Sequence, residues 1–152
     1  MTTLVTPAMT TASTHDNYDY DTSLTKVNLK EIPELNPFNS IVWNTLTTPI
    51  TKEEVQKCID DRQFLELPYR YTPRGITWNR NAHARRIAYF VVYIEYPHDE
   101  DDPYPILYQS VCHETNYLYD WPIRDGNHRL AAAFFRGDVS VGISHFDYSC
   151  TM

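Results

Sequence analysis

Apolar residues are unevenly spread along the chain, and their spacing divides it into elements. Residues 1–25 hold few of them; eight are Thr, and Asp16, Asp19 and Asp21 surround Tyr18 and Tyr20. Such a stretch buries too little surface to offset its ordering entropy, which predicts a disordered tail. A partner-binding peptide built on Tyr18 and Tyr20 is the alternative reading. The folded part is expected to be a single domain over residues 26–152. Within it, Pro33 and Pro37 interrupt the chain, and Ile41-Val42-Trp43 suggests a short strand. Pro49-Ile50-Thr51 then introduces a helix. Thr51 and Glu54 have capping-box spacing, and Val55, Cys58 and Ile59 follow at i, i+3 and i+4 as one apolar stripe.

Residues 66–82 read as irregular, with Pro68, Pro73 and Gly75 among Arg70, Arg74 and Arg80 and the aromatic Tyr69, Tyr71 and Trp78. Arginine interleaved with aromatics suits stacking on a nucleobase or phosphate. It equally suits a loop whose Arg stems cover apolar surface. The run Ile87–Tyr96 is β-branched and aromatic with little alternation, which predicts a central strand buried on both faces. An acidic turn at 98–103 and a second strand over Ile106–Val111 would complete a hairpin with it. Asn127–Arg136 reads as a helix, with Ala131, Ala132 and Ala133 as strong formers and Gly137 as the residue that ends it. Val139, Val141 and Ile143 alternate with Ser140, Gly142 and Ser144, a strand of period two. Together these elements predict an α+β fold, a small mixed sheet with a few helices.

Composition narrows the class without naming a function. The chain has 152 residues, 42% of them hydrophobic and 14% aromatic, an ordinary globular balance for one domain. No run approaches ~20 apolar residues, so no transmembrane helix and no membrane partner are expected. Thirteen Lys and Arg against 20 Asp and Glu give a net charge of −7. That balance disfavours a protein that coats nucleic acid, which needs cations against phosphate. Six of the nine Arg nevertheless fall between Arg62 and Arg86, and none separates Arg86 from Arg124. Cys58, Cys112 and Cys150 lie far apart without a C-x-x-C pair, which suits a reducing compartment. With no signal-peptide or transit pattern, a cytoplasmic location is expected. No metal site is expected. Cys112-His113 are too close in sequence to share an ion readily, and the acidic run at 99–102 lacks the EF-hand pattern.

The segment that carries candidate chemistry is Asp125-Gly126-Asn127-His128-Arg129, where an extended segment meets a helix. The first turn of a helix exposes unpaired N–H groups and partial positive charge, which together favour an anion. Gly126 permits close backbone approach or a positive φ. Asn127 or Asp125 can cap the helix, and Arg129 suits bidentate phosphate contacts. A capped structural turn is the competing reading. Upstream, His83 and Arg86 in the Asn81–Arg86 run are candidates for the same pocket, or else form a basic entry to a strand in solvent.

Residues 125–133, Asp-Gly-Asn-His-Arg-Leu-Ala-Ala-Ala, resemble the signature of the ParB/sulfiredoxin-like superfamily. The likeness is close over about residues 120–137, with Thr51–Asp61 matching a preceding helix more loosely. It implies a small α+β fold in which Gly126, His128 and Arg129 cradle nucleotide phosphates; Asn127, His83 and Arg86 are further candidates for the same nucleotide site. ATP or CTP with Mg²⁺ is the implied cofactor. A catalytic role would fall to Asp125 and His128 in phosphoryl transfer or nucleotide hydrolysis, with Glu53, Glu54 and Asp61 as further candidate bases. Where sulfiredoxins carry a catalytic Cys before the His-Arg pair this chain has Asn127, so sulfinic-acid reduction is not expected. The alternative is a non-catalytic, nucleotide-gated or DNA-associated regulatory module. The acidic balance favours a protein or small-molecule partner over bare DNA.

Overall fold

A computed structural model describes residues 2–5, 19–66, 76–93, 106–112, 115 and 117–147. The fold is α+β and divides into two units, each built from separate stretches of chain.

One unit carries the sheets and comprises Met1–Glu31, Pro97–Gly126 and Val139–Met152. Its strands are β1 (Thr2–Val5), β2 (Asp19–Asn28), β3 (Ile106–Tyr108), β4 (Val111–Cys112), β5 (Tyr117–Leu118), β6 (Ile123–Asp125) and β7 (Ser140–Asp147). Five of them form a mixed sheet in the order β1-β2-β7-β3-β6, and β4 and β5 form a separate antiparallel pair. β7 is parallel to β3 and antiparallel to β2, with Val27 opposite Val141 and Ile106 opposite Ile143. These four side chains are buried, and the alternation read from Val139 onward places Val141 and Ile143 there. β1 and part of β2 fall in the stretch expected to be a tail. That expectation weighed apolar burial alone. Thr-rich backbone is well suited to strands, and here β1 pairs with β2 and β2 with β7.

The other unit is helical and comprises Ile32–Tyr96 and Asn127–Asp138. It holds α1 (Lys52–Asp60), α2 (Arg80–Tyr93) and α3 (Asn127–Arg136), with α2 packed on both others. α1 has the expected capping box, Thr51 accepting from the Glu54 N–H while Glu54 reaches back. α3 matches its expected bounds.

α2 is the correction. The stretch 87–93 is helical rather than strand, so the hairpin with 106–111 does not form, and Ile41-Val42-Trp43 is irregular. Asn79 starts α2 by accepting the Ala82 N–H at 2.8 Å. Alanines 82, 84 and 88 are strong helix formers along its length. The apolar run lacks alternation because Ala82, His83, Ala84, Arg86, Ile87, Ala88 and Phe90 are buried on several sides of one helix. Small side chains bring the helices close. Ala84 and Ala88 share a core with Ala131 and Ala132, closed by Ile50, Val55, Cys58, Ile87 and Phe90. Cys58 is thus a core residue, its thiol pKa pushed up by burial.

α1 and α3 end alike. After α3, Asp138 N–H bonds the Ala133 carbonyl and Gly137 N–H that of Phe134. After α1, Gln63 bonds Cys58 and Arg62 bonds Ile59 in the same pattern. The pivot residue has positive φ in both, 74° at Gly137 and 54° at Arg62. A Cβ on Gly137 would meet nothing within 4 Å, so only backbone strain opposes a side chain there.

Urea unfolding tests this pair. Gly137→Ala is expected to cost about 1–2 kcal/mol, and Arg62→Gly to stabilise by up to about 1 kcal/mol, because left-handed backbone strains a residue with a Cβ. Ile87→Ala, at a fully buried position of α2, is expected to cost about 2–5 kcal/mol.

Candidate functional site

The sequence motif is split between the units at Gly126 and Asn127. Asp125 ends β6, is exposed, and accepts the Gly126 N–H through Oδ1 at 2.9 Å. Gly126 has φ 94°, the positive value anticipated for the turn. Asn127, His128 and Arg129 form the first residues of α3 in the helical unit.

Within that unit, α2 and α3 bring His83 and His128 into direct contact. His83 Nδ1 lies 2.9 Å from His128 Nε2. The ring centroids are 5.2 Å apart with planes only 18° from parallel. Those values fit nearly coplanar rings that meet edge to edge along the shared hydrogen bond. Among the described residues, no other hydrogen bond reaches either imidazole.

Two indoles flank the pair. Trp43 stacks on His83 at 4.4 Å and on His128 at 4.8 Å. Trp78 stacks on His128 at 5.5 Å and lies 5.1 Å from His83, tilted by 31°. The segments that bear the indoles are tied together, since the Thr45 hydroxyl donates to the Trp78 carbonyl at 3.1 Å. Arg80 ties the start of α2 to the start of α1. Its guanidinium donates to both carboxylate oxygens of Glu54, to the Thr48 hydroxyl and carbonyl, and to the Pro49 carbonyl. Glu54, a candidate base in the sequence, is therefore committed to Arg80 and Thr51, and its pKa is lowered by these hydrogen bonds despite partial burial. Arg80, one of the arginines interleaved with aromatics over 66–82, is thus engaged in an ion pair at the start of α2. Arg70, Arg74, Tyr69 and Tyr71 lie outside the described residues.

Both arginines singled out in the sequence are buried in this unit. Arg86 donates to the Leu65 carbonyl at 3.0 Å and stacks over Phe90 at 4.4 Å. Arg129 is only 5% exposed. His83 and Arg86 do not sit at a solvated strand entry; they lie buried three residues apart on one helix, a spacing that places side chains on one side. Both guanidinium charges reach His128. Its pKa falls well below the ordinary histidine value, first through desolvation and then through His83, Arg86 and Arg129. Burial lowers that of His83 to about 4. At neutral pH both rings are therefore uncharged and share one N–H···N bond.

Sequence reasoning found His83, Arg86, His128 and Arg129 but missed Trp43 and Trp78 as their neighbours. Neither tryptophan has a local pattern that points to the pair, because only the tertiary fold brings the three segments together. Among the described residues there is no cluster of three or more His, Cys, Asp or Glu suited to a metal ion, and no helix long and apolar enough to cross a membrane. No family model, curated protein or solved structure matches this chain.

The lowered histidine values predict an acid-sensitive fold. Unfolded imidazoles bind protons near pH 6.5, whereas His83 resists until about 4, so unfolding takes up protons between these values. Stability is expected to be flat above pH 6.5 and to fall below it by up to about 1.4 kcal/mol per pH unit for each such imidazole. His83→Gln should flatten this acid limb in urea titrations at stepped pH; an unchanged slope would exclude His83 as its source.

Proposed function

We propose that the helical unit binds a phosphate-bearing small molecule of the nucleotide class at the start of α3, with Arg86, Arg129, His83 and His128 as its polar contacts. One observation carries the reading: α2 and α3 gather two buried guanidinium groups and two neutral imidazoles at one place. Two positive charges acting on one half-buried imidazole raise the local potential, which an anion relieves. Guanidinium forks match phosphate oxygens bidentately, and the neutral imidazole pair adds one outward donor. The resemblance of residues 125–133 to the ParB/sulfiredoxin-like signature supports the same ligand class, ATP or CTP with Mg²⁺.

Binding without turnover is favoured over phosphoryl transfer or hydrolysis by the state of two candidate bases. Glu54 is held by Arg80, and the Asp125 carboxylate accepts the adjacent Gly126 N–H. On this reading the protein is a nucleotide-responsive module, and its net charge of −7 favours a protein partner over bare DNA. A cytoplasmic site of action accords with the scattered cysteines.

Calorimetry with ATP, CTP and GTP in the presence of Mg²⁺, run alongside a phosphate-release assay, tests both parts. Arg129→Ala is expected to weaken binding by about 1.5–3 kcal/mol, roughly 10- to 150-fold, with Arg129→Lys intermediate and near-ultraviolet circular dichroism confirming an intact core. Full affinity in a folded Arg129→Ala protein would refute the site. Phosphate release that this variant loses would reinstate the enzyme reading.

A further inference from the structure

The imidazole pair has a property that follows from its hydrogen-bond chemistry. Two neutral imidazoles hold two N–H protons over four nitrogens. One proton occupies the bond between His83 Nδ1 and His128 Nε2. The other must sit on an outer nitrogen, and the direction of the shared bond decides which. If His83 donates, His128 Nδ1 carries the outer proton and His83 Nε2 is an acceptor. If His128 donates, the roles reverse. The neutral pair therefore always presents one outer donor and one outer acceptor, and an anion facing it meets one lone pair.

A single added proton changes this without disturbing the geometry. It occupies the outer lone pair, and both outer nitrogens become donors while the shared bond persists. A second proton cannot be accommodated in the same way. Both inner nitrogens would then carry hydrogen at a separation of 2.9 Å, and the bond would break. Without an anion the surroundings oppose even the first proton. From α2 the pair meets the Arg86 charge and from α3 that of Arg129, and among the described residues the segments holding Trp43 and Trp78 contribute indoles. A bound phosphate brings a negative charge to the pair.

On the reading that this site takes a phosphate-bearing ligand, we propose that the His83–His128 pair takes up one proton, and only one, as the ligand binds. The proton passes from a buffer acid to the outer lone pair, leaving the conjugate base in solution. By reciprocity, lowering the pH then tightens binding, up to tenfold per pH unit between the pKa values of the free and liganded pair.

The test is calorimetry of ATP or CTP with Mg²⁺ binding to the full chain in buffers of different ionisation enthalpy. At mildly alkaline pH the terminal phosphate is already ionised. The apparent enthalpy should vary with the buffer to give uptake rising toward one proton as the pH is lowered. Nitrogen-15 spectra of the wild-type histidines should then show both outer nitrogens protonated in the complex. The double variant His83→Gln/His128→Gln should bind more weakly, with no uptake. Binding without uptake, uptake of two protons, or uptake unchanged in the double variant would each overturn the linkage while leaving the phosphate site standing. Failure of every nucleotide to bind would remove both.

Discussion

The helical unit depends on α2 being buried on several sides at once. A surface helix shows one apolar stripe and one polar face; α2 instead buries Ala84, Ile87, Ala88 and Phe90 in the core and takes His83 and Arg86 below the surface as well. Burying polar groups is costly unless each finds a partner or loses its charge. The fold meets that cost in distinct ways. Arg86 reaches the Leu65 carbonyl and lies over Phe90. His83 stays neutral and bonds His128. The core and the candidate chemistry are thus two sides of one element.

Around this helix, long-range polar ties fix the segments that have no regular structure. Arg80 binds the loop before α1 and the Glu54 cap together, so the beginnings of α1 and α2 are held by one guanidinium. At the other end of α2, Arg136 of α3 donates to the carbonyls of Phe90 and Val91 and pairs with Asp138 at 2.7 Å. Carbonyls in the last turn of a helix lack intrahelical partners, and this arginine supplies donors to two of them. The exposed Lys57–Asp61 pair at the end of α1 adds little by comparison.

What could be read from the chain was what is local. The Thr51–Glu54 box and the Gly137 terminus are defined within a few residues, and α1 and α3 match expectation for that reason. β7 was legible because its sequence alternates with period two, although Gly142 and Ser144 are buried along with Val141 and Ile143. α2 was misread because a segment buried on several sides has no period, and β-branched and aromatic residues then favour a strand. The Asn79 cap and the alanines pointed the other way but are weaker signals. β2 was missed because backbone pairing, which composition does not register, holds it. The site was partly legible: His128 and Arg129 lie in a compact motif, and His83 and Arg86 share helical spacing once α2 is known. Trp43 could be placed only by the fold.

The interleaving of the two units has a consequence for how the protein is made. The helical unit needs residues 127–138, and the sheet unit needs the strand that follows them. During synthesis, at about 5–20 residues per second, α1 and α2 emerge well before α3, and β2 waits for β7. The helical unit cannot be completed until residue 138 has left the ribosome, nor the sheet unit until β7 has. The nascent polypeptide therefore spends several seconds with the apolar side of α2 uncovered and the β2 edge unpaired, the period in which chaperone capture or aggregation competes with folding.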